Sequence, residues 1–290
     1  SGVTVAVLDS GFSTLHPDLA PAVTFQTCML TAARSLGSGA CPNGQGEQTG
    51  PGAAEDDAGH GTHVTGIIAS RGFVSPPGAA PGANIESIKV TYGPDLAGSF
   101  YTSDVIAGLD YVAANRPDVK VVNMSLQTFA LFSGACDTAN ADTIALAAAV
   151  TLLRARGAVV FAASGNLGSA TKLAAPACLS GAVAVGATDS ADSIQSFSNA
   201  GAGLDLLAPG ASIVSDAITN TTIALSGTSM AAPLAGGCAA LLLQTGEAGR
   251  SPAGIEAWLT ASPVRIPDAR NGLTFPRLNC APTPPSSIVI

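Results

Sequence analysis

Apolar residues fall into two recurring patterns along the chain: short, largely apolar runs, and longer stretches in which they return at helical spacing. The short runs predict buried β-strands, and they cover residues 3–8, 85–90, 119–125, 158–163, 182–186 and 204–207. The longer stretches predict helices at 60–70, 102–115, 137–156, 229–243 and 254–261. Because strands alternate with crossover helices, we predict an α/β fold: a doubly wound, mostly parallel sheet with helices on both faces.

The length and composition fit one globular domain. Of the 290 residues, 47% are hydrophobic and 11% are charged, which excludes a disordered chain. We predict a single domain over residues 1–280, followed by a Pro-rich C-terminal tail at 281–290. Residues 26–58 are rich in Gly, Ser, Ala and Gln, and we expect them to form a surface insertion instead of a second domain.

Charge and hydropathy argue against two classes of partner. The net charge of −8 leaves no basic footprint, so we expect no nucleic-acid partner. No apolar stretch reaches the roughly 18 residues that a membrane span needs, so we expect no membrane segment.

The chain has six cysteines, and an even number is typical of an oxidising compartment. The alternative is that they are free and buried, packed as small hydrophobic residues. Of the many pairings that six cysteines allow, we predict Cys28–Cys41, which would close the surface insertion, together with Cys136–Cys178 and Cys238–Cys280.

The stretch at residues 227–233 contains the candidate nucleophile, Ser229. Gly227 permits a tight turn, and Thr228 and Ser229 occupy the positions of N-capping residues before a buried helix that runs to Leu243. Pro233 is tolerated because it lies within the first turn of this helix. The neighbouring helix N-terminus would stabilise negative charge. Taken alone, however, a serine at this position is most often only a helix cap.

A serine hydroxyl needs a base to take its proton, and the chain has three histidines, His16, His60 and His63. All three precede Ser229, which excludes the Ser-acid-His order of the α/β-hydrolases. In addition, Ala231 replaces the second glycine of their G-x-S-x-G turn. The orders acid-His-Ser and His-acid-Ser both remain open.

Asp9 is the best-placed acid, because it ends the first apolar run and Ser10-Gly11 follow it. It therefore lies at the carboxyl end of a buried strand, where open α/β sheets place their sites. His60 lies at the start of a predicted helix, with His63 one turn further on. Two histidines at this spacing can share zinc, but the run has no H-E-x-x-H motif, and we expect His63 to pack against the start of the helix.

With these residues the chain resembles the subtilisin-like serine proteases, the subtilase family. Four motifs carry the resemblance in the family's order, from residue 3 to about residue 280: Val7-Leu8-Asp9-Ser10-Gly11 with His16-Pro17-Asp18-Leu19, His60-Gly61-Thr62-His63-Val64, Ala163-Ser164-Gly165-Asn166, and Gly227-Thr228-Ser229-Met230-Ala231-Ala232-Pro233. The resemblance implies a subtilisin-like fold and a catalytic triad of Asp9, His60 and Ser229. It also implies that the side chain of Asn166 and the backbone N–H of Ser229 stabilise the oxyanion.

The resemblance further implies a groove for a protein or peptide substrate. Ser125-Leu126-Gln127 and Ala162-Ala163-Ser164 would flank the pocket for the side chain before the scissile bond, and Gly98-Ser99-Phe100 would pair with the extended substrate. Because the family commonly has Gly at the position of Gln127, its specificity does not carry over. A cis peptide at Ala175-Pro176 is also implied, although most X-Pro bonds are trans.

The implied chemistry needs no cofactor, and the family allows a structural calcium. Asp18 matches a family position that commonly helps to bind calcium, but residues 71–78, which would complete that site, carry few oxygen side chains. Calcium takes about six to eight oxygen ligands. Asp18 is therefore a calcium candidate with an incomplete site, and Asp56, Asp57 and Asp95 could form a different one.

The resemblance implies a secreted serine endopeptidase, which we expect to be a monomer made with a propeptide. The chain begins with Ser1-Gly2, without Met, a signal peptide or the family's N-terminal arm, which indicates a processed mature form or a shortened chain. Two alternatives remain: a catalytically silent binding module with the same fold, and an esterase that uses the same triad.

Overall fold

The computed structural model describes residues 2–96, 98–246 and 251–280. Its strands are, in chain order, β1 (Thr4–Asp9), β2 (Val23–Met29), β3 (Glu47–Thr49), β4 (Asn84–Lys89), β5 (Val119–Met124), β6 (Leu131–Phe132), β7 (Val159–Ala163), β8 (Leu173–Ala174), β9 (Val183–Thr188), β10 (Leu206–Pro209), β11 (Ile213–Ala217), β12 (Thr221–Leu225), β13 (Arg265–Pro267) and β14 (Thr274–Pro276). Its helices are α1 (Thr31–Ser35), α2 (His60–Ala69), α3 (Thr102–Asn115), α4 (Ala141–Ala155), α5 (Thr228–Thr245) and α6 (Pro252–Thr260).

Eight strands form one central sheet in the order β10-β9-β7-β5-β1-β4-β2-β3. All neighbouring pairs are parallel except β2 and β3 at one edge, which are antiparallel. β1 lies inside the sheet, between β4 and β5, so the residue that ends it lies at the middle of the carboxyl edge.

Both faces of the sheet are covered by helices. In β1, Val5 and Val7 pack with α2, α5 and α6, whereas Ala6 and Leu8 point to the other face and pack with α3 and α4. Strands that are buried on both faces need apolar side chains at nearly every position, which explains their apolar runs in the sequence. The prediction of a doubly wound, mostly parallel α/β fold is confirmed.

The structure differs from the prediction in the bounds of some elements and in the presence of others. α3 spans the predicted residues, but α4 begins at Ala141 because Asn140 and Thr143 form a reciprocal capping box. The hairpin of β11 and β12 was not predicted. Its residues are largely exposed, so they lack the apolar run of a buried strand.

The segment at 26–58 is partly integrated into the sheet. β2 and β3 extend the sheet at its edge, and Cys28 is bonded to Cys41. These two cysteines pack with Leu30 and Ala33 in a small separate cluster. The other two disulfides join Cys136 to Cys178 and Cys238 to Cys280.

Two further expectations concern single features. The peptide bond at Ala175-Pro176 is cis, as predicted. Within the described residues, no helix is long and apolar enough to cross a membrane. The predicted tail at 281–290 lies outside the described residues.

The first turn of α2 contacts the segment that follows β1 without any side chain in between. A Cβ atom added to Gly61 would lie 2.2 Å from the carbonyl oxygen of Gly11. Both partners of this contact are backbone, so neither can move aside by changing a rotamer. Only glycine at position 61 allows α2 to lie this close to the end of β1.

We predict that Gly61→Ala destabilises the protein by about 1–3 kcal/mol, because the added methyl forces the two backbone segments apart. Gly82→Ala is the matched control, since a Cβ there meets no atom within 4 Å. Thermal unfolding of both variants tests the contact. The Gly61 variant should melt several degrees lower and the Gly82 variant close to the unmodified chain. Equal melting temperatures would contradict a tight contact.

Candidate active site

Asp9 lies at the carboxyl end of β1, in the middle of the sheet, and is 1% exposed. Its Oδ1 accepts the backbone N–H of Ser10 at 2.8 Å, which orients the carboxylate. The same oxygen lies 2.8 Å from Nδ1 of His60. A buried carboxylate in this position fixes the orientation of the imidazole.

His60 is the first residue of α2, and the helix start is held by polar contacts. Asp56 accepts the N–H groups of Ala58, Gly59 and Thr62 at 2.9–3.0 Å, so its carboxylate satisfies helix donors that have no partner within the helix. Gly59 has φ 104°, a backbone conformation that side chains rarely adopt. Together these contacts aim the imidazole of His60 at Asp9.

Opposing effects act on the pKa of His60, and the net result is a rise above its ordinary value. Burial disfavours the charged imidazolium, but the charge of Asp9 and its hydrogen bond to Nδ1 outweigh burial, and Asp56 adds to them. A proton accepted by His60 is therefore stabilised in this site.

His63, one turn further along α2, points away from this pair. Its Nε2 lies 3.1 Å from the carbonyl oxygens of both Ile213 and Ile223, so it connects α2 to the hairpin of β11 and β12. Burial lowers the pKa of His63 to about 4, and the ring is neutral at neutral pH. This contact agrees with the predicted packing role, although the partner is a hairpin that the sequence did not reveal.

Ser229 lies in the first turn of α5, but neither it nor Thr228 caps the helix, so that prediction was wrong. The N-cap is Gly227, which has no side chain to donate or accept. The cap is supplied from another segment, since Oδ1 of Asn166 accepts both the N–H and the hydroxyl of Thr228 at 2.9 Å. A distant amide therefore does the work of a capping side chain.

Pro233 is the sixth residue of α5, not part of its first turn, and it leaves the carbonyl of Ser229 without its usual donor four residues on. The hydroxyl of Ser125 donates to that carbonyl at 2.8 Å. Asn123 in turn donates from Nδ2 to the Ser125 hydroxyl at 3.0 Å. The end of β5 thus fixes the first turn of α5.

The hydroxyl of Ser229 donates to the carbonyl oxygen of Ser125 at 3.2 Å. Ser229 and His60 line the same cavity, and a turn about one side-chain bond re-aims the Ser229 hydroxyl. A hydrogen bond between a nucleophile and its base, such as Ser229 and His60, is often formed only when substrate is bound.

The loop that contains Asn166 is held on several sides. Oδ1 of Asn199 accepts the N–H groups of Leu167 and Ser169 at 3.0–3.1 Å, and Asn199 donates its own N–H to the carbonyl of Gly165. Because Oδ1 of Asn166 is occupied by Thr228, the amide orientation is fixed and Nδ2 remains free to donate. Nothing near Asn199 in the sequence signals this role, since its contacts are long-range.

A cavity of about 530 Å³ joins these groups. Of the residues proposed from the sequence, it is lined by His60, Gly98, Ser99, Phe100, Ser125, Leu126, Gln127, Asn166 and Ser229. Asp9 lies behind His60, while Ala162, Ala163 and Ser164 are at most 1% exposed and do not line the cavity. Further lining residues, which the sequence did not point to, are Tyr92, Thr102, Thr128 and Phe129.

The surroundings of Asp18 do not fit a calcium ion. Its carboxylate oxygens accept the N–H groups of Phe73, Val74 and Ser75 at 2.5–3.0 Å. These hydrogen bonds hold the pKa of Asp18 below its usual value, despite burial. The loop at 71–78 therefore presents donors to Asp18 where calcium requires oxygen ligands.

Among the described residues, one group of three side chains, His16, Asp18 and Asp216, brings possible metal-ligand atoms within 4.8 Å of one another. Nδ1 of His16 accepts the N–H of Asp18, so the proton of the neutral ring is on Nε2, 3.6 Å from Oδ1 of Asp216. A protonated nitrogen cannot bind a metal. Burial, together with the charge of Asp18, raises the pKa of Asp216 to about 7. Nε2 of His16 would therefore have to lose its proton before this group could bind a cation.

The other acids considered for calcium are separate from one another. Asp56 caps α2, Asp57 pairs with Lys89 at 2.6 Å, and Asp95 accepts the N–H of Gly98 through its carbonyl. These three acids do not form a shared site.

Comparisons with known proteins agree on one family. A family model described as the subtilase family matches residues 1–274. Subtilisin BL from Lederbergia lenta is 38% identical over 245 residues, which are 84% of this chain and 77% of that protein. The extracellular serine proteinase of Thermus sp. (strain Rt41A) is 42% identical over 195 residues, 67% of this chain and 43% of that protein. The crystal structure of a cold adapted subtilisin-like serine proteinase has a TM-score of 0.72 at 29% identity, with 96% of this chain and 89% of that chain covered.

The extent of the family match, the identity to these relatives and the shared fold all point the same way. The chain belongs to the subtilase family and is a subtilisin-like serine endopeptidase.

Proposed function

We propose that the protein hydrolyses internal peptide bonds through an acyl-enzyme intermediate, with Ser229 as the nucleophile, His60 as the base and Asp9 as its orienting carboxylate. One observation carries the proposal. Side chains from three segments, His60, Asn166 and Ser229, line one cavity, and Asp9 is bonded to His60 behind it. That arrangement supplies a nucleophile, a base, an orienting acid and an oxyanion donor within one site.

In the first step, Ser229 attacks the peptide carbonyl while His60 takes its proton at Nε2. His60 then returns that proton to the leaving amine, and the acyl group stays on Ser229. A water molecule, activated by His60 in the same way, releases the acid product. Asp9 keeps the proton of the neutral ring on Nδ1, so that Nε2 can act as the base, and stabilises the imidazolium formed in both steps.

The oxyanion of each tetrahedral intermediate would lie between two donors. One is Nδ2 of Asn166, which is free because its Oδ1 is bonded to Thr228. The other is the backbone N–H of Ser229, one of the first N–H groups of α5, which have no partner within the helix. The positive end of the helix dipole adds to both.

An extended peptide fits between the two backbone segments that flank the cavity, Gly98–Phe100 and Ser125–Gln127. Such a substrate would pair with them as an added strand, which positions the scissile carbonyl at Ser229.

Secretion is part of the same proposal. Three disulfides are typical of oxidising compartments, and one relative is named as an extracellular proteinase. We further propose a monomer that is made with a propeptide. Catalysis needs no cofactor.

Ser229→Ala should abolish peptide hydrolysis while leaving the fold intact, with a loss of about 10⁶ in kcat, the magnitude known for removing this group in a subtilisin. Ser226→Ala is the matched control, since its hydroxyl accepts the N–H of Ser212 and is exposed outside the cavity. A serine-directed phosphonylating reagent should label the parent and the Ser226 variant but not the Ser229 variant. Retention of a tenth of the parent turnover would rule out Ser229 as the nucleophile.

The pH profile of kcat/KM should report His60. Because the base must be neutral and its pKa is raised, activity should fall on acidification with a midpoint above 6.5. Asp9→Asn removes the charge that raises this pKa, so the midpoint should move down while kcat falls by about 10⁴. A rate that stays constant down to about pH 4 would show that His60 is not the base.

Asn166→Asp should separate the catalytic role of Asn166 from its capping role. The variant keeps an oxygen acceptor for Thr228 but replaces the Nδ2 donor, so kcat should fall by at least about 10²–10³ with the melting temperature preserved. Asn166→Ala should lower both kcat and stability, with KM nearly unchanged. Normal kcat per titrated active site in the Asp variant would remove Asn166 from the mechanism.

A further inference from the structure

Gln127 joins two segments that begin at adjacent strands of the sheet. It follows β5, and its side chain extends to the loop that follows β7, where Oε1 accepts the backbone N–H of Asn166 at 2.5 Å. The same Oε1 lies 3.0 Å from the position that a Cβ on Gly165 would occupy. The side chain of Gln127 therefore connects the segments that follow these two strands.

The hydrogen bond between Gln127 and Asn166, called the bridge below, lies at the wall of the cavity. Gln127 and Asn166 line the cavity, while Ala162, Ala163 and Ser164, which lead into the same loop, are buried and do not. The space between the strand ends is thus occupied by an amide of this chain.

The site fixes where a substrate side chain would enter. The scissile carbonyl oxygen must lie about 3 Å from Nδ2 of Asn166, and the Cα that bears the preceding side chain is about 1.5 Å from the carbonyl carbon. That side chain consequently starts within a few ångströms of Asn166, beside the amide of Gln127 that is bonded to it.

We propose that Gln127 determines the size of the substrate residue before the scissile bond and restricts it to small side chains such as Ala or Ser. The inference rests on the proposed function, since it concerns the same site. A large apolar side chain has to displace the amide and leave the N–H of Asn166 without its protein acceptor. A small one fits beside the bridge without moving it.

A second consequence distinguishes this role from simple support of the Asn166 loop. If Gln127 only supported the Asn166 loop, its removal would change kcat by the same factor for every substrate. A size filter changes the ratio of kcat/KM between substrates, and a single methylene in an apolar pocket is worth about 10-fold to 200-fold.

The test uses three chromogenic peptide anilides that differ only in the residue before the scissile bond, Ala, Leu or Phe. The protein should hydrolyse the Ala substrate at least about tenfold more efficiently than the Phe substrate. Gln127→Gly should raise kcat/KM for Phe relative to Ala by at least about tenfold. Gln127→Glu, which keeps the length of the side chain and an oxygen acceptor for the N–H of Asn166, is the matched control and should keep the parent ratio. Melting temperatures verify that each variant is folded.

Three outcomes would overturn the inference. The parent could prefer Phe, the Gly variant could change all three substrates by one factor, or the Glu variant could lose the ratio as the Gly variant does. In each case peptide hydrolysis persists, so the proposed function stands. By contrast, an absence of turnover on all three anilides and on a denatured protein would refute the proposed function together with this inference.

Discussion

The hydrogen bond between Asp9 and His60 is the constraint on which the rest of the site depends, and it requires two backbone segments to touch. β1 and α2 meet at Gly11 and Gly61, where a single added methyl would lie 2.2 Å from a carbonyl oxygen. This contact allows the carboxylate at the end of β1 to reach the imidazole at the start of α2 at 2.8 Å. The position of His60, the proposed base, is therefore set by the packing of main chain on main chain, which is less adaptable than contacts between side chains.

In the first turn of α5, other segments form hydrogen bonds to backbone groups that the proposed reaction does not use. Asn166 takes the N–H of Thr228, and Ser125 donates to the carbonyl of Ser229 that Pro233 leaves without a donor. What remains is the N–H of Ser229 and the Nδ2 of Asn166, the two donors that an oxyanion would use. Asn166 and Ser229 both line the cavity, so a bound substrate could reach these two donors.

Asp18 and Gln127 share one physical feature, because the side chain of each accepts hydrogen bonds from the peptide N–H groups of a loop. The carboxylate of Asp18 accepts three peptide N–H groups of the loop at 71–78, which stabilise its negative charge. The side-chain oxygen of Gln127 accepts the N–H of Asn166 in the same way. In both places one side chain holds a loop that connects two elements of the fold.

The sequence by itself determined six of the eight strands of the sheet, all but β2 and β3 at one edge, together with most of the helices, and it pointed to the residues of the proposed triad. Buried parallel strands need apolar residues on both faces, and helices repeat every 3.6 residues, so both leave a local pattern. The motifs around Asp9, His60 and Ser229 likewise identify reactive groups from their immediate neighbours. The capping residue of α5 was misassigned because its cap is an amide 62 residues away, which no local pattern reveals.

Only the tertiary structure decided how these groups act on one another. The roles of Asn199, Ser125 and Gln127 depend on contacts between segments far apart in sequence. The donor role proposed for Asn166 likewise depends on its oxygen being bonded already to Thr228. The exposed hairpin of β11 and β12 was not predicted for a related reason. Its backbone carbonyls contact His63 of α2, and it has no buried apolar run of its own. Local sequence specifies which chemical groups are present. Which donors stay free, which groups carry a proton and which groups touch depend on distances that are set only when the chain packs.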